Sequence, residues 1–212
     1  MKHVYIHGLG QSSESWNKTV KNLKNYTDIV CPDLSAMVRN GEVCYENLYA
    51  SFSDFCSEFH EPVNLCGLSL GSVLALNYAI DFPSKVSSLV LIAPQYKMPK
   101  KMLTFQNIVF RFMPDSMFRQ TGFKKVDFIS LCKSMTKLDF SGSLSEINCP
   151  VMIVYGEKDS LNKKSSVNLF EILKNSELKE VSGAGHEVNT DVPEKLAELL
   201  CSFYNCNKQK TE

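Results

Sequence analysis

The sequence predicts an α/β fold, in which a mostly parallel β-sheet is covered by helices on both faces. Short runs rich in β-branched residues alternate along the chain with longer stretches of helical period. This alternation is typical of a doubly wound sheet with right-handed crossovers. Several of the runs are apolar almost throughout, as expected for strands that are buried on both faces. The 212 residues, 44% of them hydrophobic, suffice for one such domain.

Six short runs, most of them apolar, are the candidate strands, at residues 3–7, 28–31, 63–66, 88–93, 151–155 and 177–181. The stretches of helical period are the candidate helices, at residues 13–24, 45–60, 70–80, 163–174 and 193–204. The last helix has an N-cap candidate in Asp191 and a proline, Pro193, near its first turn, where proline is favoured.

Residues 95–139 interrupt the alternation of strands and helices. They carry no strand signal, and their helical stretches are rich in methionine and phenylalanine. We expect this segment to be an insertion that folds over the strand ends as a helical cap; an ordinary pair of sheet-covering helices is the alternative. Residues 1–94 and 140–206 would then form the core, and the polar residues 207–212 a flexible tail.

Composition excludes several classes of protein. The formal net charge is zero, so the whole chain has no electrostatic preference for nucleic acid. No run of eighteen apolar residues predicts a transmembrane segment, and the apolar run at the N-terminus is too short for a signal peptide. The eight cysteines have neither Cys-x-x-Cys nor zinc spacing. We therefore expect free thiols, no metal and a reducing, cytoplasmic location.

The sequence Gly67-Leu68-Ser69-Leu70-Gly71 predicts a nucleophilic serine. It follows an apolar run and leads directly into a helical stretch, which is the strand–turn–helix context of a nucleophile elbow. The sharp turn strains the serine backbone, so the residues two positions away on either side must be small. A tight turn without chemistry is the alternative.

A nucleophilic serine needs a base within hydrogen-bonding reach, and the base needs a group that orients it. The chain has four histidines. His3 and His7 lie in the first predicted strand, and His60 lies at the end of a helix. His186 lies in a glycine-rich loop between the last strand and the last helix, where it is the best candidate for the base.

These motifs resemble those of the α/β-hydrolase superfamily, in particular its short lidded esterases, lipases and acyl-transfer-related members, from about residue 3 to residue 204. The resemblance implies that Asp159, in a Gly-x-x-Asp pattern after a buried strand, is the acid of a Ser69–Asp159–His186 triad. Glu157 and Asp191 are the rival carboxylates. The His-Gly loop at His7 implies that an oxyanion hole is formed by the backbone N–H groups of Leu9 and Leu70.

The chain departs from the superfamily pattern at its start. Superfamily members have two strands before the His-Gly strand, whereas this chain begins on that strand. The resemblance therefore implies a reduced α/β-hydrolase sheet of about six strands, without the antiparallel edge strand.

The resemblance implies a serine hydrolase that cleaves a carboxylic ester or thioester of a small to medium apolar acyl substrate without a cofactor. A triad-bearing lyase like the menaquinone-pathway members, a C–C bond hydrolase and a non-catalytic ligand-binding member are the alternatives. The expected partner is a small molecule, and the cap could also form a homo-oligomer contact.

The charge of the predicted cap is lopsided. Residues 95–139 hold nine Lys or Arg and three Asp, whereas the rest of the chain holds 14 basic and 20 acidic residues. One hypothesis is that the basic cap attracts an anionic substrate or a lipid surface. The alternative is an ordinary solvated helix face.

Overall fold

Six parallel strands form one sheet, in the order β2-β1-β3-β4-β5-β6, in the computed structural model of the chain. The model describes residues 1–23, 28–38 and 42–208. All five strand pairings are parallel, which confirms the predicted fold class. The strands are β1 His3–Ile6, β2 Ile29–Val30, β3 Val63–Leu68, β4 Val86–Ile92, β5 Val151–Gly156 and β6 Ser176–Val181.

Helices connect the strands and cover both faces of the sheet. They are α1 Asn17–Asn22, α2 Leu34–Met37, α3 Tyr45–Ser57, α4 Leu70–Asp81, α5 Lys100–Phe112, α6 Lys125–Met135, α7 Ser160–Ile172, α8 Val188–Asp191 and α9 Pro193–Lys208. No helix in these described ranges is long and apolar enough to cross a membrane.

The helices differ from the predictions mainly at their ends. A 3₁₀ turn, Ser13–Trp16, precedes α1, so the first predicted helix is split, and residue 24, its predicted end, lies outside the described residues. Helices α2 and α8 have four residues each, which is too short to show a helical period. Helix α9 includes residues 207 and 208 of the expected flexible tail, and residues 209–212 lie outside the described part of the chain.

Alternate residues of the central strands enter two separate apolar cores, because successive side chains point to opposite faces of a sheet. Val4 and Ile6 of β1 belong to the core on the face with α3 and α4. Tyr5 between them belongs to the core on the other face, with α9. Burial on both faces explains why these strands are apolar throughout instead of alternating.

Residues 95–139 lie between β4 and β5, and we call them the inserted segment. An antiparallel bridge between Lys97 and Asp139 closes its base, and α5 packs on α6. An ideal Cβ on Gly10, in the loop after β1, would lie 3.9 Å from a ring carbon of Phe128 in α6. The backbone N–H of Tyr45, the first residue of α3, donates to the hydroxyl of Ser134 in α6. The inserted segment therefore contacts both the loop that leaves β1 and the start of α3.

Candidate active site

The four loops that carry the predicted site residues leave the same edge of the sheet. Because all six strands run in parallel, the segments that follow β1, β3, β5 and β6 emerge at their shared carboxyl edge, where open α/β sheets bind ligands. Leu9 follows β1, Ser69 follows β3, Asp159 follows β5 and His186 follows β6. Strands β1 and β3 are neighbours, and so are β5 and β6.

The turn between β3 and α4 holds Ser69 in a strained conformation. Its φ is 53° and its ψ is −113°, a region that non-glycine residues rarely occupy. An ideal Cβ on Gly67 would lie 2.2 Å from the carbonyl oxygen of Gly71, and one on Gly71 would lie 2.2 Å from the carbonyl oxygen of Ile6. The turn can therefore be this tight only with glycine at both places, as the sequence predicts.

The loop after β1 lies beside Ser69. An ideal Cβ on Gly8 would lie 3.4 Å from the Cβ of Ser69. Within the described part of the chain, the backbone N–H groups of Leu9 and Leu70 have no protein acceptor. Leu70 begins α4, and the first amides of a helix have no intrahelical partner. The two predicted oxyanion donors lie in adjacent loops, and both N–H groups are therefore available to bind a ligand.

His7 is fully buried and orders this loop. Its Nδ1 lies 2.9 Å from the carbonyl oxygen of Gly8, and its Nε2 accepts the backbone N–H of Leu34 at 3.1 Å. Because a carbonyl can only accept and an amide N–H can only donate, the imidazole proton is on Nδ1. Burial lowers the pKa of His7, which favours the neutral ring. Both nitrogens are occupied by structural bonds, so His7 is not available as a base.

Asp159 and His186 are in direct contact. Nδ1 of His186 lies 2.8 Å from Oδ2 of Asp159, with the carboxylate buried and the imidazole partly exposed. Burial alone would raise the pKa of Asp159, but hydrogen bonds from His186 and Asn162 outweigh it and hold the pKa below its usual range. The Asp159 carboxylate therefore stays ionised and orients the imidazole.

The Ser69 hydroxyl forms no hydrogen bond to His186 or Asp159 in the described part of the chain. The structure thus brings the carboxylate and the imidazole into contact and places the serine on the same sheet edge without a direct bond to them. Catalytic hydrogen bonds are often long without substrate and tighten only when it is bound.

The two rival carboxylates bind the backbone of the histidine loop instead of its imidazole. Glu157 accepts from the Ser182 hydroxyl and from the N–H of Gly183. Asp191 accepts from the N–H of Gly185 at 2.7 Å. Both carboxylates therefore fix the loop that carries His186.

Asn162 is a site residue that sequence reasoning missed. Its side-chain nitrogen donates to both carboxylate oxygens of Asp159, at 2.9 and 2.8 Å, and lies 3.1 Å from Nδ1 of His186. Its side-chain oxygen accepts from Gln95 at the start of the inserted segment. The only sequence signal is the position of Asn162 three residues after Asp159, in the first turn of α7.

A buried pair of amides links the loop after β1 to helix α8, which follows the histidine loop. The side chains of Gln11 and Asn189 donate to each other at 3.1 and 3.2 Å. Gln11 also accepts the backbone N–H of Gly8, and Asn189 binds the hydroxyl of Ser15. Sequence reasoning missed this pair too, because its members are 178 positions apart.

Comparison with known proteins places the chain among hydrolases. The profile of the family described as "Alpha/beta hydrolase family" matches residues 4–199. Human monoacylglycerol lipase ABHD6 is 21% identical over 251 aligned positions, which cover 94% of this chain and 74% of the lipase. The pimeloyl-[acyl-carrier protein] methyl ester esterase of Vibrio campbellii is 29% identical over 94 residues, covering 44% of this chain and 37% of the esterase.

Solved structures share the fold at low sequence identity. A carboxylesterase structure from the thaumarchaeon Nitrososphaera gargenis has a TM-score of 0.82 at 17% identity, covering 99% of this chain and 91% of the other. MenH from S. aureus has a TM-score of 0.79 at 15% identity, covering 98% and 94%. These likenesses establish a common architecture.

Proposed function

Because the chain belongs to the alpha/beta hydrolase family, we propose that it is a serine hydrolase of carboxylic esters or thioesters. The observation that carries this proposal is the bond between His186 and the buried carboxylate of Asp159, on the sheet edge that also holds the strained Ser69. An ionised carboxylate that orients a histidine on the same sheet edge as such a serine supports nucleophilic catalysis over simple ligand binding.

In the proposed reaction, the Ser69 hydroxyl attacks the carbonyl carbon while Nε2 of His186 takes its proton. The negative charge on the carbonyl oxygen is stabilised by the N–H groups of Leu9 and Leu70. His186 then gives its proton to the leaving group, and an acyl-enzyme ester remains on Ser69. Water hydrolyses that ester, with His186 again acting first as base and then as acid. Every group in this scheme belongs to the protein, so the scheme requires no cofactor.

We propose that the inserted segment is the cap of this site and that the acyl group is small to medium in size and apolar. Phe118, Phe123 and Phe128 pack together in the same apolar core as residues of the central strands, and Leu9 contacts that core. An acyl chain near Leu9 would therefore meet apolar side chains. The relatives named as a lipase and as esterases support an ester substrate.

The test is release of p-nitrophenol from acetate, butyrate, octanoate and palmitate esters. We expect activity to peak at one of the shorter chains and to vanish in Ser69→Ala. The matched control is Ser202→Ala, because Ser202 is an exposed serine on α9 that makes no hydrogen bond to Ser69, Asp159 or His186. Its activity should equal that of the wild type.

Labelling with a fluorophosphonate separates the alternatives. Labelling of Ser69 without turnover of any ester would favour the triad-bearing lyase or the C–C bond hydrolase. Absence of both turnover and labelling would contradict the proposed function and favour a ligand-binding member of the family.

A further inference from the structure

The outer face of α5 is an apolar stripe without a partner in the described chain. Phe105, Ile108, Val109 and Phe112 are exposed, and Phe105 and Phe112 are 67% and 85% accessible. Their spacing of three and four residues places them on one side of the helix. The opposite side, with the buried Leu103, packs against the core. Single exposed apolar residues are ordinary, but a row of four along one helix indicates an interaction surface.

Cations without acidic partners lie on the same helix as this stripe. Lys100, Lys101 and Arg111 lie on α5, and none of them forms an ion pair with a described residue. Elsewhere in the inserted segment, Lys97 pairs with Asp139, and Lys125 pairs with Asp115. Lys124, Lys133 and Lys137 also have no ion pair with a described residue. The inserted segment therefore carries several unpaired basic charges, and three of them lie on the helix that exposes the apolar stripe.

We propose that this face of α5 docks on an anionic lipid surface. An apolar stripe flanked by Lys and Arg is the pattern of a helix that lies in the plane of a membrane interface. Its apolar side chains enter the boundary between headgroups and acyl chains, while its cations meet lipid phosphates. Each cation near such a surface strengthens binding by roughly fivefold.

The charge distribution favours a lipid surface over a second copy of this chain. A symmetric dimer through α5 would bring the two sets of unpaired cations together, and such like-charge contacts oppose association. The inserted segment holds nine basic and three acidic residues, while the rest of the chain holds 14 basic and 20 acidic residues. An anionic surface therefore attracts the side of the molecule that carries α5 and repels the remainder.

The test is flotation of the full chain with phosphatidylcholine vesicles, prepared with and without phosphatidylglycerol, at low and high salt. We expect binding to the anionic vesicles and a marked loss of binding at high salt. The measurement needs no turnover, so Ser69→Ala should bind as the wild type does, whether or not the proposed function is correct.

Two variants separate the apolar and the charged contributions. Phe105→Gln with Phe112→Gln should weaken binding at least about tenfold, because two large apolar side chains no longer enter the lipid. Lys100→Gln, Lys101→Gln and Arg111→Gln together should weaken binding roughly a hundredfold at low salt. The matched control is Phe170→Gln with Ile172→Gln, since both residues are exposed on α7, and it should bind normally.

Three outcomes would overturn the proposal. The wild type could fail to float with anionic vesicles, or both α5 variants could bind as tightly as it does. Light scattering could instead show a dimer that the Phe105→Gln and Phe112→Gln pair dissociates, in which case a second copy covers this face. Circular dichroism of each variant ensures that loss of binding is not loss of fold.

Discussion

Asn162 supports the ionised side chain on which the proposed chemistry depends. A buried carboxylate needs hydrogen-bond donors, and Asp159 takes two contacts from the Asn162 amide in addition to His186. Hydrogen bonds to charged groups contribute about 1.5–3 kcal/mol each. Gln95 fixes the amide orientation by donating to its oxygen. Asn162 is thus a positioning residue that acts through Asp159 and His186.

We expect Asn162→Ala to lower kcat for the best ester by about tenfold, because the loss of one weak hydrogen bond to a charged group raises the barrier by about 1.4 kcal/mol. KM should change little. The amide nitrogen also lies 3.1 Å from Nδ1 of His186, so its loss removes a contact that helps to orient the imidazole. Initial rates measured over a range of ester concentrations give kcat and KM separately and test this expectation.

Asn168→Ala is the matched control, because Asn168 lies on the same helix and makes no hydrogen bond to the Asp159–His186 pair. Its kcat and KM should equal those of the wild type. A kcat for Asn162→Ala that equals the wild-type value would contradict the positioning role.

At the scale of elements, the turn between β3 and α4 depends on backbone contact. The atoms nearest an added Cβ on Gly67 are backbone atoms of Gly71 and Ser72, at 2.2 to 2.5 Å. Backbone atoms cannot rotate away as a side chain does, so Gly67→Ala must separate the strand from the helix. We expect it to lower the free energy of unfolding by about 3 kcal/mol, the upper end of the usual cost of overpacking, as measured by urea denaturation.

Gly142→Ala is the matched control, because it adds the same methyl group at a position with free space around it. No atom lies within 4 Å of an ideal Cβ on Gly142, so its stability should stay within about 0.5 kcal/mol of the wild type. Equal stability of the two variants would show that the turn relaxes more easily than the packing indicates.

The long elements could be predicted from the sequence because their apolar pattern repeats over enough residues. All six strands were predicted in place, and so was the boundary at which α4 begins on Leu70. Helices α2 and α8 have one turn each and thus no period to detect. Helix α8 takes part in a tertiary contact that local sequence does not indicate, since the Thr19 hydroxyl donates to the backbone carbonyl of Asn189.

The same distinction applies to the candidate site. Ser69, Asp159 and His186 lie in motifs defined by their immediate neighbours, so local sequence indicated them. Gln11 and Asn189 have no local motif, and only the folded chain brings their amides together. The sequence also did not indicate that the α5 stripe is exposed. An apolar period predicts one buried face, and it does not show that a helix has a second apolar face that stays exposed.

At the scale of the whole molecule, the seven cysteines whose side chains the structure describes are free thiols, as the sequence predicts. Burial raises the pKa of Cys56 and Cys132 to about 12 and that of Cys31 and Cys149 to about 11. Burial also raises the pKa of Cys66. In the unfolded chain the pKa of these thiols is about 8.5. The folded chain therefore holds their protons over an alkaline range in which the unfolded chain has lost them.

This difference predicts a loss of stability at high pH. The contribution of each thiol is complete below about pH 8.5 and falls as the pH rises toward the folded pKa, by about 1.4 kcal/mol per pH unit. Urea denaturation at a series of alkaline pH values should show the combined slope. Cys56→Ala with Cys132→Ala should reduce that slope by about twice the single-thiol amount.

Val73→Ala is the control for the smaller side chains, because Val73 is buried in the same core as both thiols and carries no proton. It should lower the stability at every pH without changing the slope. If the thiol variant kept the full slope, the alkaline loss would have to arise from other groups, such as the buried tyrosines.

The sheet order also has a consequence for biosynthesis. The serine turn follows β3 near the middle of the sheet, whereas the carboxylate and the imidazole follow β5 and β6, which are made last and lie at one border. A ribosome therefore completes the proposed nucleophile, Ser69, long before its proposed proton acceptor, His186, exists. Under the proposed function, the nascent chain cannot hydrolyse an ester while it is being made. It gains this activity in a single late step, when β6 docks on the sheet.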